Sequence, residues 1–292
     1  MHAELALTVL CNNEAIDGLM AEHGLAIWLS TGQHNWLFDC GSGETLQHNA
    51  EQLHIPLGAC KQVILSHGHQ DHTGGLAILW QQGIVPVLAH PDVTLPRYSR
   101  HPDKPVRSIG MPSTVVSQLW QLPEHYRQWS TKAVRLNAWM GTSGVIPRCL
   151  PYEDTGGPFF LDAAGFQVDG LQDDQALWIN TVEGLIVLLG CCHSGLINTI
   201  ARLRQLTGIQ RIAGIIGGLH LLHASQERLH HTLTALASIA PDFMYLGHCT
   251  GNEIIPRLQQ ALPHTRIEAL AAGCRYRFTP SPLSEAANKD DL

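Results

Sequence analysis

Short apolar runs alternate with amphipathic stretches along most of the chain. Leu5 to Cys11 reads as a strand, and residues 25–30 and 35–39 read as two more, joined by the turn Thr31-Gly32-Gln33-His34. A helix is predicted over 43–53, a buried strand over 63–66 and a strand over 85–89. Leu76, Ile78, Leu79 and Trp80 fall at helical spacing within 74–82. Beyond 176 the alternation is regular. Strands are predicted at 176–180, 184–190, 212–216, 243–246 and 267–270, with helices at 198–205, 226–239 and 254–261. Between 91 and 166 the periodicity is weak, and the last dozen residues read as frayed. Strand runs in both halves with interleaved helices predict an α/β sandwich of sheets covered by helices. We expect one domain over 1–292, with a lid-like insertion at about 91–166.

Composition narrows the partners. With 292 residues, 45% of them apolar and 15% charged, the chain can bury a large core and does not resemble a disordered one. The net charge of -7, without a dense Lys/Arg run, argues against a general grip on nucleic acid. No apolar run reaches the ~20 residues of a membrane span, and Met1 to Leu10 does not read as a signal peptide. Eight cysteines in no regular framework predict reduced thiols and a cytoplasmic protein. The outlier is histidine, with 18 copies. Histidine is both a common metal ligand and the usual near-neutral acid or base.

The densest cluster is Ser66-His67-Gly68-His69-Gln70-Asp71-His72-Thr73-Gly74-Gly75, directly after a predicted strand and before a helix. In an extended loop, His67 and His69 point to one side, while Asp71 and His72 can turn toward a second point nearby. Imidazole and carboxylate suit zinc, iron or manganese.

This His-x-His-x-Asp-His pattern resembles the signature of the metallo-β-lactamase fold superfamily. The resemblance implies a four-layer αββα sandwich with a one- or two-metal site at one edge. Asp39, ending a strand before Cys40-Gly41-Ser42-Gly43, matches the family's preceding Asp, which orients the site. Later strand ends supply His193, in Gly190-Cys191-Cys192-His193-Ser194-Gly195, and His248, in Gly247-His248-Cys249-Thr250-Gly251, which matches the family's final His ligand. The expected ligands are thus His67, His69, Asp71, His72, His193 and His248, for two divalent ions, zinc first and manganese or iron as alternatives. Whether Cys191, Cys192, Asp173 or Asp174 also ligates stays open. Relatives carry a His between the first motif and the bridging position, and none lies between His125 and His193 here. His220, at another strand end, could be a ligand, a substrate contact or a proton donor, and a pocket role is favoured over ligation.

Gly190 to Asn198, Gly217-Gly218-Leu219-His220-Leu221, His248 to Gly251 and Asp173 to Leu177 resemble more narrowly the dihydropterin-ribofuranosylaminobenzene phosphate synthase-like subgroup. Glu14 and His23-Gly24-Leu25 are similar to its N-terminal pattern. The expected function is a hydrolase that uses metal-bound hydroxide on a small, phosphorylated or heterocyclic substrate, with Asp71 and His220 in catalysis. The alternatives are a pterin-linked synthase and a non-catalytic metal-containing sensor. Arg97, Arg100, Arg107, Arg127, Arg135 and Arg148, with Trp120, Trp129 and Trp139, are candidates for anion clamps and aromatic walls. Gly41-Ser42-Gly43 offers backbone N–H groups to a phosphate.

Overall fold

The computed structural model describes residues 4–283, so the tail expected to fray lies outside the described residues from 284 onward. The first half forms β1 (Leu5–Cys11), β2 (Ala26–Ser30), β3 (Asn35–Phe38), α1 (Leu46–Gln52), β4 (Gln62–Ile64), the single turn α2 (Gln70–Thr73), α3 (Leu76–Gln81) and β5 (Val87–Ala89). Residues 91–166 contribute β6 (Tyr98–Ser99), β7 (Arg107–Ser108), α4 (Ser113–Gln121), β8 (Arg127–Trp129), β9 (Met140–Thr142) and β10 (Phe159–Phe160). There follow β11 (Leu177–Thr181), β12 (Gly184–Leu189), α5 (Leu196–Thr207), β13 (Ile212–Gly217), α6 (Gln226–Ile239), β14 (Phe243–Leu246), α7 (Ile254–Ala261), β15 (Arg266–Ala269) and β16 (Arg275–Phe278).

The strands form a seven-stranded sheet, β16-β1-β2-β3-β4-β5-β8, and a six-stranded sheet, β15-β14-β13-β12-β11-β9. A small sheet, β10-β6-β7, stands apart. The two large sheets meet through Leu7, Ile27, Phe38 and Ile64 on one side and Ile179, Ile186, Leu188 and Ile216 on the other. The outer face of the first sheet packs on Leu46 of α1, Leu79 of α3 and Leu119 of α4. That of the second packs on Leu203 of α5, Leu236 of α6 and Leu258 of α7. The result is an αββα sandwich. β12 and β13 are parallel neighbours inside it, buried on both faces. This double burial explains why they read as continuous apolar runs instead of alternating ones.

Parallel pairing decides where the polar strand ends go. β3 runs parallel to β4, and β12, β13 and β14 are parallel to one another. The loops after these strands carry Asp39, residues 66–72, Cys191 to His193, His220 and His248. Four residues at these ends, Asp39, Cys192, His220 and His248, have φ of 56°, 61°, 49° and 52°. Left-handed backbone at non-glycine residues costs about 1–3 kcal/mol each and concentrates where geometry is imposed by its surroundings. The segment after His69 is not extended as expected. It coils at once into α2, which carries Asp71 and His72 and leaves the His72 ring 4.3 Å from that of His67.

A buried ion cluster fastens the 66–72 loop. Arg97 is only 1% exposed and pairs with Asp169 at 2.9 Å and with Asp173 at 2.7 Å. The same Asp173 carboxylate accepts a 2.7 Å hydrogen bond from the Gly68 N–H. Removing the cation strands two buried carboxylates, so Arg97→Ala should destabilise the fold by about 3–5 kcal/mol. A urea denaturation series on the metal-free protein checks this; an unchanged midpoint would mean that the cluster is energetically idle.

Candidate metal centre

Two groups of imidazoles converge at the edge of the sandwich; His67, His193, His72 and His248 are each held from behind by an oxygen, and His69 by the His67 ring, with His69 Nδ1 3.0 Å from His67 Nε2. The ligand-type atoms of His67, His69 and His193 all lie within 4.8 Å of one another. Ser66 Oγ donates to Asp39 Oδ2 at 2.7 Å, so it accepts from His67 Nδ1 at 2.9 Å. His193 Nδ1 donates to the Thr155 carbonyl at 2.7 Å. The inner nitrogens of His67 and His193 therefore carry lone pairs; that of His67 accepts from His69 Nδ1, and that of His193 is bare. The Nε2 atoms of His69 and His193 are buried without any hydrogen-bond partner.

The second group repeats the arrangement. His72 Nδ1 donates to Asp39 Oδ2 at 2.7 Å, and His248 Nδ1 donates to Asn13 Oδ1 at 2.9 Å. Their Nε2 atoms face each other across 3.1 Å. Asp71 Oδ2 lies 3.3 Å from His248 Nε2 and 3.8 Å from His72 Nε2. Two lone pairs and a carboxylate at such distances call for a proton or a cation among them. The donor set of neutral imidazoles and a carboxylate, with orphaned buried nitrogens, fits a divalent ion in each group.

Asp39 supports both groups. It is fully buried, and its second oxygen accepts from the Ser66 N–H at 2.7 Å. Gly190 makes room for it: a Cβ there would lie 2.1 Å from Ser66 Oγ and 3.0 Å from Asp39 Oδ2.

The six expected ligands are thus brought together, and the open alternatives separate. Cys191 faces the centre, with Sγ 3.2 Å from His72 Nε2. Cys192, turned by its positive φ, packs in the apolar core beneath α5. Asp173 is taken up by Arg97 and Gly68, and Asp174 accepts from the Ser194 N–H at 2.6 Å. His220 donates through Nε2 to the Gly156 carbonyl at 3.1 Å, and its Nδ1 is buried and unpartnered. Gly156 touches that ring directly, since a Cβ there would lie 2.0 Å from His220 Cδ2. Loop 153–157 is fixed in turn by Arg228, which is 1% exposed and donates to both the carbonyl and the carboxylate of Asp154.

Sequence reasoning missed Asn13, Thr155 and Gly156. Two of them act through backbone carbonyls, which leave no side-chain signal. His23 carried a signal only as part of the N-terminal pattern. It accepts from Asn13 Nδ2 at 3.2 Å and lies 3.1 Å from Asp71 Oδ2. The cradle at Gly41-Ser42-Gly43 is already filled, because the Glu22 carboxylate accepts from the N–H groups of Ser42, Glu44 and Thr45. Arg97 is no anion clamp, being spent on aspartates. Arg148 donates to the His193 carbonyl, Arg127 covers Trp120, and Trp139 packs against Trp36. Of the candidate arginines, Arg107 lines the cavity over the centre.

That cavity has a volume of about 360 Å³. Its floor is His69, Asp71, Cys191, His220 and His248. The small sheet β10-β6-β7 supplies one wall through Ser99, Arg107 and Phe159. Burial pushes His67, His69 and His193 well below the ordinary imidazole range, which keeps them neutral. Burial works against charge on His72 too, but the Asp39 and Asp71 carboxylates outweigh it and raise His72 to about 9. Burial likewise opposes ionisation of Asp71, yet His72, His23 and His248 hold its carboxyl well below the usual range.

Known proteins resemble this chain to different degrees. The sequence profile of the Metallo-beta-lactamase superfamily matches residues 21–148. The 7,8-dihydropterin-6-methyl-4-(beta-D-ribofuranosyl)-aminobenzene-5'-phosphate synthase of Methanocaldococcus jannaschii is 28% identical over 242 residues, covering 79% of this chain and 82% of that protein. An uncharacterised protein of the same organism is 28% identical over 258 residues, covering 87% of this chain and 94% of its own. The solved structure of Tm1679, described as a metal-dependent hydrolase of the beta-lactamase superfamily, superposes with a TM-score of 0.77 at 25% identity, over 93% of this chain and 98% of that one.

Three outcomes follow from the geometry. Asp39→Asn removes the acceptor that orients His72 and should weaken divalent-ion affinity about 10- to 100-fold, measured by competition with a chelator; unchanged affinity would detach Asp39 from the centre. At neutral pH the His72 proton must leave when an ion enters. Affinity should therefore rise at least tenfold per pH unit from neutral toward about pH 9, where His72 loses its proton without an ion. In the metal-free protein the His72–Asp39 pair contributes stability fully below about pH 6.5 and loses it as pH rises through about 9. Chelator competition and thermal melts across that window check both signs.

Proposed function

Starting from a chain with the metallo-β-lactamase fold, we propose that it is a metal-dependent hydrolase of a small substrate bearing an anionic group and a flat ring. The observation that carries the reading is the pair of inward-facing imidazole groups at the floor of an open cavity. His67, His69 and His193 would hold one divalent ion. Asp71, His72 and His248 would hold the second, with zinc the first choice and manganese or iron the alternatives. When bound, such ions supply Lewis acidity and bring the pKa of water toward neutral.

The chain's own side chains do the rest. Arg107, on the wall contributed by residues 91–166, pairs with a phosphate or carboxylate of the substrate. Phe159 sets its ring edge-on to His193 and offers a flat apolar surface to a heterocycle. Asp71 fixes His23 and His248 across the floor. His220 is anchored at Nε2 by Gly156, which leaves Nδ1 to hold or deliver a proton to a leaving group. The wall formed by β6, β7 and β10 acts as the lid that excludes water. The eight cysteines are free, which suits a reducing cytoplasm. Among the described residues no helix is long and apolar enough to cross a membrane.

The relationship to the Methanocaldococcus jannaschii synthase supports a second reading, a synthase acting on a pterin and a ribofuranosyl-aminobenzene phosphate. Both readings need an aromatic, anionic substrate. Assays of the metal-loaded protein on phosphoesters, lactones and thioesters, against assays with a dihydropterin and a ribosylated aminobenzene phosphate, separate them. Metal-dependent turnover in the first set supports the hydrolase, and product formed only in the second replaces it with the synthase.

Within either reading, His67→Ala should lose metal and turnover together, with kcat/KM falling at least ~10³-fold, the scale of several kcal/mol of lost transition-state stabilisation. His220→Ala should keep the metal and lose about 10²-fold or more in kcat. Metal loss in His220→Ala would instead make His220 a ligand.

A further inference from the structure

We infer that Cys191 is a thiolate ligand shared between the two ion positions, and that it biases the centre toward thiophilic ions. The inference rests on the two-ion reading above. The first observation is placement. Cys191 Sγ lies within 4.8 Å of ligand atoms of His67 and His72, of His193 and His220, and of His248 and Cys249. Among the described residues, it alone shares such triplets with two members of each imidazole group, His67 and His193 on one side and His72 and His248 on the other.

The second observation is its surroundings. Buried cysteines usually pack as small hydrophobes. Cys11, Cys40 and Cys60 do so under the first sheet, and Cys192 does so under α5. Cys191 is 3% exposed, yet it joins none of the three apolar clusters among the described residues. Its neighbours are imidazole edges, and its Sγ lies 3.2 Å from His72 Nε2. Two further donors beside it, His193 Nε2 and His220 Nδ1, are buried and unpartnered. A thiol on the apolar side of the strand end would be packing material. The positive φ at Cys192 turns that residue into the core and leaves its predecessor facing the centre.

The chemistry balances simply. As an ion enters, the S–H proton leaves to solvent and the sulfur lone pairs form the metal bonds; no electron changes hands. A thiolate is a soft donor, so zinc, ferrous iron and cobalt should be retained over manganese and magnesium, which prefer oxygen.

X-ray absorption at the zinc edge of the fully loaded chain tests this. A sulfur shell at about 2.3 Å is expected, with one sulfur per zinc if Cys191 serves both ions and half a sulfur if it serves one. The shell should persist in Cys249→Ser and vanish in Cys191→Ser. If Cys191→Ser does not fold, Cys191→Asp keeps a bridging-capable donor and should likewise lose the shell. A wild-type spectrum with only nitrogen and oxygen neighbours, half a sulfur per zinc, or a shell that survives in the Cys191 variant overturns the proposal while leaving the two-ion reading intact. A wild-type chain that takes up no zinc overturns both.

Discussion

Everything around the centre follows from one electrostatic constraint. His72 and His248 turn their Nε2 atoms to each other at 3.1 Å, because their outer nitrogens are committed to Asp39 and Asn13. Left to itself this arrangement is repulsive, and in a dry interior the repulsion is not screened. The metal-free protein relieves it by holding a proton on His72, whose pKa rises to about 9. A divalent ion relieves it better, with Asp71 alongside. His67 and His193 repeat the pattern against Ser66 and Thr155. The second row of oxygens thus selects imidazole tautomers as much as it orients rings.

The scaffold that sustains this constraint is distributed. Parallel pairing of β3 with β4 and of β12, β13 and β14 delivers the five loops to one edge. Left-handed backbone at Asp39, Cys192, His220 and His248 aims their side chains, at a local cost that the packed sandwich offsets. Arg97 with Asp169 and Asp173 clamps the loop that carries His67 and His69, and Arg228 clamps the loop whose carbonyls hold His193 and His220. Both clamps are buried arginines, which keep their charge and fix planar geometry.

Much of this was legible in the sequence, and what was not has physical reasons. The main strands and helices announced themselves through periodicity, because each buries a face or is buried whole. The motif from His67 to His72 was legible because its candidate ligands are contiguous. His193, His220 and His248 were legible because a polar residue closing an apolar strand is conspicuous. Thr155 and Gly156 were silent, since they act through backbone carbonyls inside a stretch with no periodicity. The division of labour between Cys191 and Cys192 depends on one backbone dihedral, which composition does not encode. Asp173 and Asp174 carried a plausible ligand chemistry, but Arg97 and the N–H groups of Gly68 and Ser194 claim them, and those partners lie 76, 105 and 20 residues away in sequence. The strand β16 pairs antiparallel with β1 across nearly the whole chain, a contact invisible to local patterns.

The most direct measurement is the metal content of the purified chain, by elemental analysis against an accurate protein concentration, before and after reconstitution with zinc. The account predicts about two equivalents per chain, one for each imidazole group. A single equivalent after reconstitution would contradict the paired centre. None at all would mean that the facing nitrogens are satisfied by protons alone.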